Sequence, residues 1–549
     1  MQKINHLISG FFSRRSGFGA LLALIAFYHS LTPSLLPRTW VIQGLVSGAV
    51  VVIVYLVAAG LSRLAHKLGL TNEKLLHKFP KYRVQIGWLA VALMPIILLI
   101  SVRDRDAEWD ALGYDLADRF LYSGVLLVAL VIITIGSLIA LAIRKLFSVI
   151  NWGTNKVLPR ALGGFLSIVI ATAVVLLIVN EAFYNRFLGS MNDTWSFNDT
   201  NLPADDSGPV ELPTKSGTED SLVTWSEIGR EGRFMMTRAP RAQDITDRTG
   251  RPALDPIRAY VGRPSAETYE ERAALAVAEL ERMDGFSRKV LLVLTPTGTG
   301  WMNEQLVQPL EYFYDGDIAT VGMQYSHLPS PLAFQMERRS AVDSADALLT
   351  AVQQKLSTME NPPLLLVAGE SLGAYGGQGP IANLDAMVAN THAAIWTGSP
   401  PMAHLRREAE ARRDAGSLQM RPEISALPQV VFGARPEDFV GTQARYAFLQ
   451  HANDPIVWWD NSVIFSKPDW MSEPLDSSLN PNLRWRPITT YLQFSADMAA
   501  GNAFEEGFGH RYGALPTRVW WEMLDPAGWS EEQMMDLYNE LESAAGELR

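Results

Sequence analysis

Five stretches without a single Asp, Glu, Lys or Arg occupy residues 16–37, 39–62, 84–102, 120–143 and 161–180. At 1.5 Å per helical residue, each is long enough to cross about 30 Å of hydrocarbon. One such stretch could be a buried core helix, but five in succession, separated by polar loops, predict a five-span membrane domain. Arg14 and Arg15 before the first stretch resemble the basic start of a signal peptide. A second apolar stretch follows at once in place of a small-residue cleavage site, so the first is expected to be retained.

Charge is divided as unevenly as hydropathy. Residues 1–186 hold 18 Lys and Arg against 8 Asp and Glu, leaving 29 against 50 for the remainder. With the N-terminus inside, 13 basic residues fall on the inner side and 5 on the outer, and an odd number of spans places the acidic remainder outside the cytoplasm. The net charge is −11 and no long basic run occurs, so nucleic acid is not an expected partner. The chain has no cysteine, which excludes disulfides, thiolate metal sites and a cysteine nucleophile. Within the spans, His29 reads either as a functional ionisable group or as a neutral, hydrogen-bonded one. Gly44 and Gly48 form a GxxxG spacing that allows close helix packing. No charged relay crosses these helices, which argues against a transporter or pump.

Three regions follow from this pattern: a membrane domain at 1–189, a polar Asp-, Pro-, Ser- and Gly-rich linker at 190–220, and an acidic domain at 221–549. In the last, Val290–Leu294, Ile318–Met323, Leu364–Ala368 and Ala393–Thr397 read as buried strands. Ala273–Arg282, Arg338–Leu356 and Leu372–Ala389 read as helices between them. Such alternation predicts an α/β fold with a mostly parallel sheet.

The third of these strands runs into Gly369-Glu370-Ser371-Leu372-Gly373 and then into a helix. GxSxG in that setting is a nucleophile elbow, whose glycines permit a sharp turn that presents the serine oxygen. The N–H of Leu372 is one candidate oxyanion donor, and the loop 297–300 offers a second, with Thr299 favoured over its neighbours. That loop, TGTG, lacks the GK[ST] ending of a phosphate loop and the acidic partner of a dinucleotide site. On this scaffold the chain order is Ser, then Asp or Glu, then His. His510, in the turn GFGHRYG, is the favoured base over His392, His404 and His451. Asp454, after the strand-like run 447–449 and before a proline, is the favoured acid, with Asp460 and Asp438 as rivals. Thr489–Met498 reads as helix as readily as strand, which leaves open the strand that ordinarily precedes the histidine. No HxxxH or carboxylate cluster near the elbow suggests a metal, and no cofactor is expected.

Taken together, TPSLLPR (32–38), DPIRAYVG (255–262), TPTGTGW (295–301), MQYSHLPS (323–330), GESLGAYG (369–376), QHANDPIVWW (450–459) and GHRYG (509–513) resemble the bacterial membrane-bound α/β-hydrolase family. The resemblance implies a multi-span membrane domain joined to a hydrolase domain, with Ser371, Asp454 and His510 as catalytic triad. Trp301, Tyr325 and Trp458 are then expected to contact substrate, since aromatics supply rigid apolar area. The expected activity is cleavage of a lipophilic ester, such as an envelope lipid, at the outer face of the bilayer. Acyl transfer to an alcohol, and a catalytically silent lipid-binding or scaffold protein, are the alternatives.

Overall fold

The computed structural model describes residues 17–68, 78–101, 122–182 and 208–547, together with Trp109, Arg186, Ser190, Ser196 and Asp199. The chain divides into two compact units, Met1–Arg186 with Trp459–Gly501, and Phe187–Trp458 with Asn502–Arg549.

The first unit holds α1 (Gly17–Ser30), α2 (Trp40–Lys67), α3 (Lys78–Ile100), α4 (Tyr122–Thr154) and α5 (Arg160–Val179). Among the described residues three helical stretches are long and apolar enough to cross a membrane: Trp40–Ala65, Ser123–Thr154 and Arg160–Ala182. The stretch 84–102 lies largely in α3, which contains Pro95. The stretch 16–37 differs from its expected form. Its helix ends at Ser30, and Thr32–Pro37, with two prolines, is non-helical. The GxxxG spacing closes α2 onto α4. A Cβ added at Gly44 or Gly48 would lie 2.6 Å from Val128 Cβ or Ile132 Cβ. Gly124 and Gly136 of α4 lie equally close to Trp40 and Val52, so both helices supply small residues to the crossing.

Residues 459–501, expected in the catalytic domain, pack instead in this first unit. Leu492 and Ala496, on the helix Thr489–Asp497, join the apolar cluster of Ala26, Val46 and Val50. Helix, not strand, is therefore the structure of the segment that the sequence left open.

The second unit is built on seven strands: β1 (Ile257–Val261), β2 (Val290–Thr295), β3 (Ile318–Met323), β4 (Leu364–Glu370), β5 (Ala393–Thr397), β6 (Val430–Gly433) and β7 (Tyr446–Leu449). Their order is β1-β3-β2-β4-β5-β7-β6, and every pairing is parallel. Strands such as Val-Leu-Leu-Val-Leu-Thr are buried along their whole length, as a parallel sheet covered on both faces requires. Its helices include α6 (Tyr269–Arg282), α7 (Glu304–Phe313), α8 (Arg338–Leu356), α9 (Leu372–Gln378), α10 (Leu515–Leu524) and α11 (Glu531–Glu547). Helix α6 begins at a capping box: Thr268 Oγ1 accepts from Glu271 N–H, and the Glu271 carboxylate accepts from Thr268 N–H. Such a cap contributes about 1 kcal/mol.

The helix expected over 372–389 is two helices, α9 and a separate turn of helix at Leu384–Asn390, because Gly379 and Pro380 interrupt it. The described part of the supposed linker, from Gly208 onward, is packed rather than free. Arg258 N–H donates to Thr214 O at 3.0 Å, and Ser216 N–H donates to Arg258 O at 3.1 Å, so this stretch extends the sheet beside β1. Lys215 is fully buried, its Nζ donating to Pro256 O at 2.6 Å, and Ser216 and Ser221 donate to Glu279 of α6. Lys215, Ser216 and Ser221 can be buried here because each side chain meets a partner.

Candidate active site

Ser371 joins β4 to α9 with φ 56° and ψ −120°, a conformation that a non-glycine residue holds only under strain. Its N–H donates to Thr397 O at the end of β5 at 2.8 Å, and its carbonyl accepts the first helical bond, from Tyr375 N–H at 3.0 Å. The flanking glycines are required by space. A Cβ on Gly369 would lie 2.5 Å from Gly373 O, and one on Gly373 would lie 2.3 Å from Thr295 O. The elbow is thus pressed between its own first turn and the end of β2. Leu372 is the first residue of α9, where the N–H groups have no carbonyl of the helix behind them.

The loop after β2 lies next to this turn. Thr297 N–H donates to Trp301 O, and Gly300 N–H, at φ 95°, donates to Thr297 O. Two side chains fix this turn by its carbonyls: Tyr260 donates to Gly300 O at 2.7 Å and Gln324 Nε2 to Thr299 O at 2.9 Å. Gln324 Nε2 also reaches Asp199 Oδ2 at 3.0 Å, and the same oxygen faces His327 Nδ1 at 3.0 Å.

Asp454 follows β7 and begins the short helix Pro455–Trp458. Its Oδ1 accepts from Ile456 N–H at 2.8 Å, capping that helix, while its Oδ2 accepts from His510 Nδ1 at 2.7 Å. Both residues are buried, and the structure brings them together from opposite sides of the residues 459–501. The two loops are joined at further points. Asn453 Oδ1 accepts from Gly509 N–H, and His451 Nδ1 donates to Gly509 O at 2.9 Å. His451 N–H in turn donates to the phenol oxygen of Tyr512. Burial holds the His451 imidazole below its ordinary pKa, so it stays neutral and serves as a donor to a backbone carbonyl. The His510 ring packs on Gly398, where an added Cβ would lie 2.4 Å from its Cε1. Gly398 directly follows Thr397, the residue whose carbonyl holds the Ser371 N–H.

The rivals for these roles have other work. Asp460 caps Ser462 N–H, Asp438 accepts from Ala434 and Arg435 N–H and from Arg421, and His404 Nε2 lies 2.6 Å from Ile381 O. Of the three aromatics expected at the substrate, Trp301 is half-buried and lines a cavity of about 60 Å³ together with Asn303, Glu370 and Tyr512. Tyr325 and Trp458 lie in the interior. Trp458 donates its indole N–H to His451 O and carries the Arg406 guanidinium 4.9 Å over its ring, so it supports the acid-bearing loop. Among the described residues no cluster of His, Asp and Glu could hold a metal ion.

The model of the alpha/beta-hydrolase family matches residues 257–537, and a model of that family's N-terminus matches residues 31–240. The chain belongs to the alpha/beta-hydrolase family. No curated protein and no solved structure gives a match. In this alpha/beta-hydrolase chain, sequence reasoning missed Tyr512, Asn453 and Gln324, although all three stand inside the short motifs that carry the resemblance. Their signal was a polar residue within a motif already singled out for its neighbour.

Proposed function

We propose that this chain is a membrane-anchored serine hydrolase that cleaves an ester through an acyl-enzyme, with Ser371 as nucleophile, His510 as base and Asp454 as the acid that orients it. The observation that carries this reading is the 2.7 Å bond between His510 Nδ1 and Asp454 Oδ2, made by an imidazole packed on the residue after Thr397. With Nδ1 engaged by the carboxylate, Nε2 is the nitrogen that takes the Ser371 proton as Oγ attacks the ester carbonyl. The developing oxyanion is held by the N–H groups of Leu372 and Thr299. Collapse expels the alcohol, which takes its proton from His510, and water activated by the same imidazole then releases the acid and restores Ser371. The apolar helices α2, α4 and α5 support a substrate drawn from the bilayer, a lipophilic ester or envelope lipid. The excess of Lys and Arg in the inner loops supports an extracytoplasmic catalytic domain.

The test is labelling of intact cells with a membrane-impermeant fluorophosphonate, comparing the wild type with Ser371→Ala. Labelling that disappears in Ser371→Ala is expected. Labelling only after lysis overturns the orientation, and none in either state overturns the mechanism.

A further inference from the structure

TPSLLPR, between α1 and α2, has no part in the chemistry above, yet among the described residues it holds the most buried ion pair of the first unit. Arg38 Nε lies 2.8 Å from Asp497 Oδ1, with both side chains buried. Ser34 Oγ and Leu35 N–H donate to the other carboxylate oxygen of Asp497. Arg38 also donates to Gln43 Oε1 at 3.0 Å, and Gln43 Nε2 donates to Ser30 O and Ser47 Oγ. From the other side Gln493 Nε2 donates to Thr32 O at 2.9 Å. Asp497 and Gln493 belong to residues 459–501, the part of the chain that leaves the second unit just after Asp454 and returns to it just before His510.

We propose that Arg38 is a positioning residue, which acts through Asp497 to hold the segment 459–501 folded and so keeps the chain between acid and base at a fixed span. This rests on Asp454 and His510 being the working pair. The segment has one helix of nine residues, four-residue turns, and the stacked pair Trp470 and Phe494, too little to fold on its own. Its order therefore depends on what it packs against, α1 and α2. Removing one partner of a buried ion pair leaves the other charge buried and alone, whereas replacing both by apolar side chains is far better tolerated. An undocked segment becomes a long flexible loop between Asp454 and His510, and closing that loop opposes their hydrogen bond. The bonds of Gly509 to Asn453 and His451 persist, so the bond is weakened rather than lost.

The experiment uses the full chain in detergent and compares the wild type, Arg38→Ala, Asp497→Asn and the double variant Arg38→Met, Asp497→Leu. Two readouts are taken: cleavage at exposed sites inside the segment, by trypsin after Arg484 and by chymotrypsin after Phe465, and kcat and KM on a short soluble ester across pH. Each single variant should be cut about tenfold faster at these sites and lose kcat about tenfold at nearly constant KM, with the acid limb of the profile moved to lower pH. The double variant should return both part of the way to wild type, since it removes the lone buried charge but leaves Ser34 Oγ–H and Leu35 N–H without their acceptor. Single variants as resistant as wild type, or cut faster with kcat and the pH profile unchanged, overturn the proposal. A wild type that fluorophosphonate does not label at Ser371 refutes the hydrolase reading instead, and protection of Arg484 still reads the Arg38–Asp497 hold.

Discussion

The phenol of Tyr512 donates to Asp454 Oδ2 at 2.7 Å, the same oxygen that faces His510 Nδ1. Burial and the carboxylate beside it hold the Tyr512 pKa well above the ordinary value, so it remains a donor at every working pH. The phenol oxygen also accepts from His451 N–H, and the ring stacks on His451 at 4.1 Å. Tyr512→Phe should leave a buried N–H without its acceptor, lowering stability by about 1–3 kcal/mol. It should lower kcat/KM about tenfold by loosening the carboxylate. Urea unfolding and ester kinetics on the same preparation check both; unchanged kinetics would mean that the Asp454 position does not depend on this phenol.

Gly373→Ala should act on the site without dissolving the fold. The new methyl would meet Thr295 O at 2.3 Å and Pro296 O at 2.9 Å, forcing the elbow and the loop after β2 apart. A displacement of about 1 Å can cost about 100-fold in rate. The expected result is a loss of that order in the rate of fluorophosphonate labelling at Ser371, with far-UV circular dichroism unchanged.

Trp301 lines the cavity that Glu370 and Tyr512 also line. If it bounds an acyl site, Trp301→Ala should shift the preferred ester toward longer acyl chains. Each added methylene buried in the vacated space contributes about 0.8 kcal/mol. Rates measured across a series of acyl lengths test this, and an unchanged profile removes Trp301 from the substrate contacts.

The buried Lys215 gives a stability prediction with a definite sign. Burial, helped by the Arg258 charge, lowers its ammonium from 10.5 to about 7. Its folded pKa lies below the unfolded one, so stability is fully present above about 10.5 and declines as pH falls toward 7. Between pH 7 and 9 the wild type should gain about 2 kcal/mol from this one group, and Lys215→Met should lack that gain. Urea midpoints of the two proteins at both pH values supply the comparison; parallel curves would refute it.

The strands β2, β3, β4 and β5 were legible in the sequence because continuous burial demands continuous apolar residues. The strand β1 was not, because Arg258 occupies one of its core positions. Its guanidinium is buried against Glu311 at 2.7 Å and Glu304 at 3.0 Å, carboxylates of α7 that local hydropathy cannot connect with it. Four-residue β6 carried too short a pattern. Within the candidate site, Ser371, Asp454 and His510 could be nominated because the proposed chemistry restricts residue type, order and turn. Tyr512 could not, since its role depends on the register of two loops brought together from 58 positions apart. The placement of residues 459–501 was hidden for the same reason, as Asp497 finds its partners at Ser34, Leu35 and Arg38.

That last distance also sets an order of events at the ribosome. Ser34 and Asp497 are 463 positions apart, so at about 5–20 residues per second the first waits on the order of half a minute to a minute and a half for the second. Translation reaches α1 and α2 first and then makes the whole seven-stranded sheet, from Ile257 to Leu449, before Asp497 emerges. His510 emerges later still. On the proposed mechanism the nascent chain carries its nucleophile without its base from Ser371 onward, while β5, β6 and β7 are made, and turnover waits until the polar network begun at Ser34 and Arg38 can be completed.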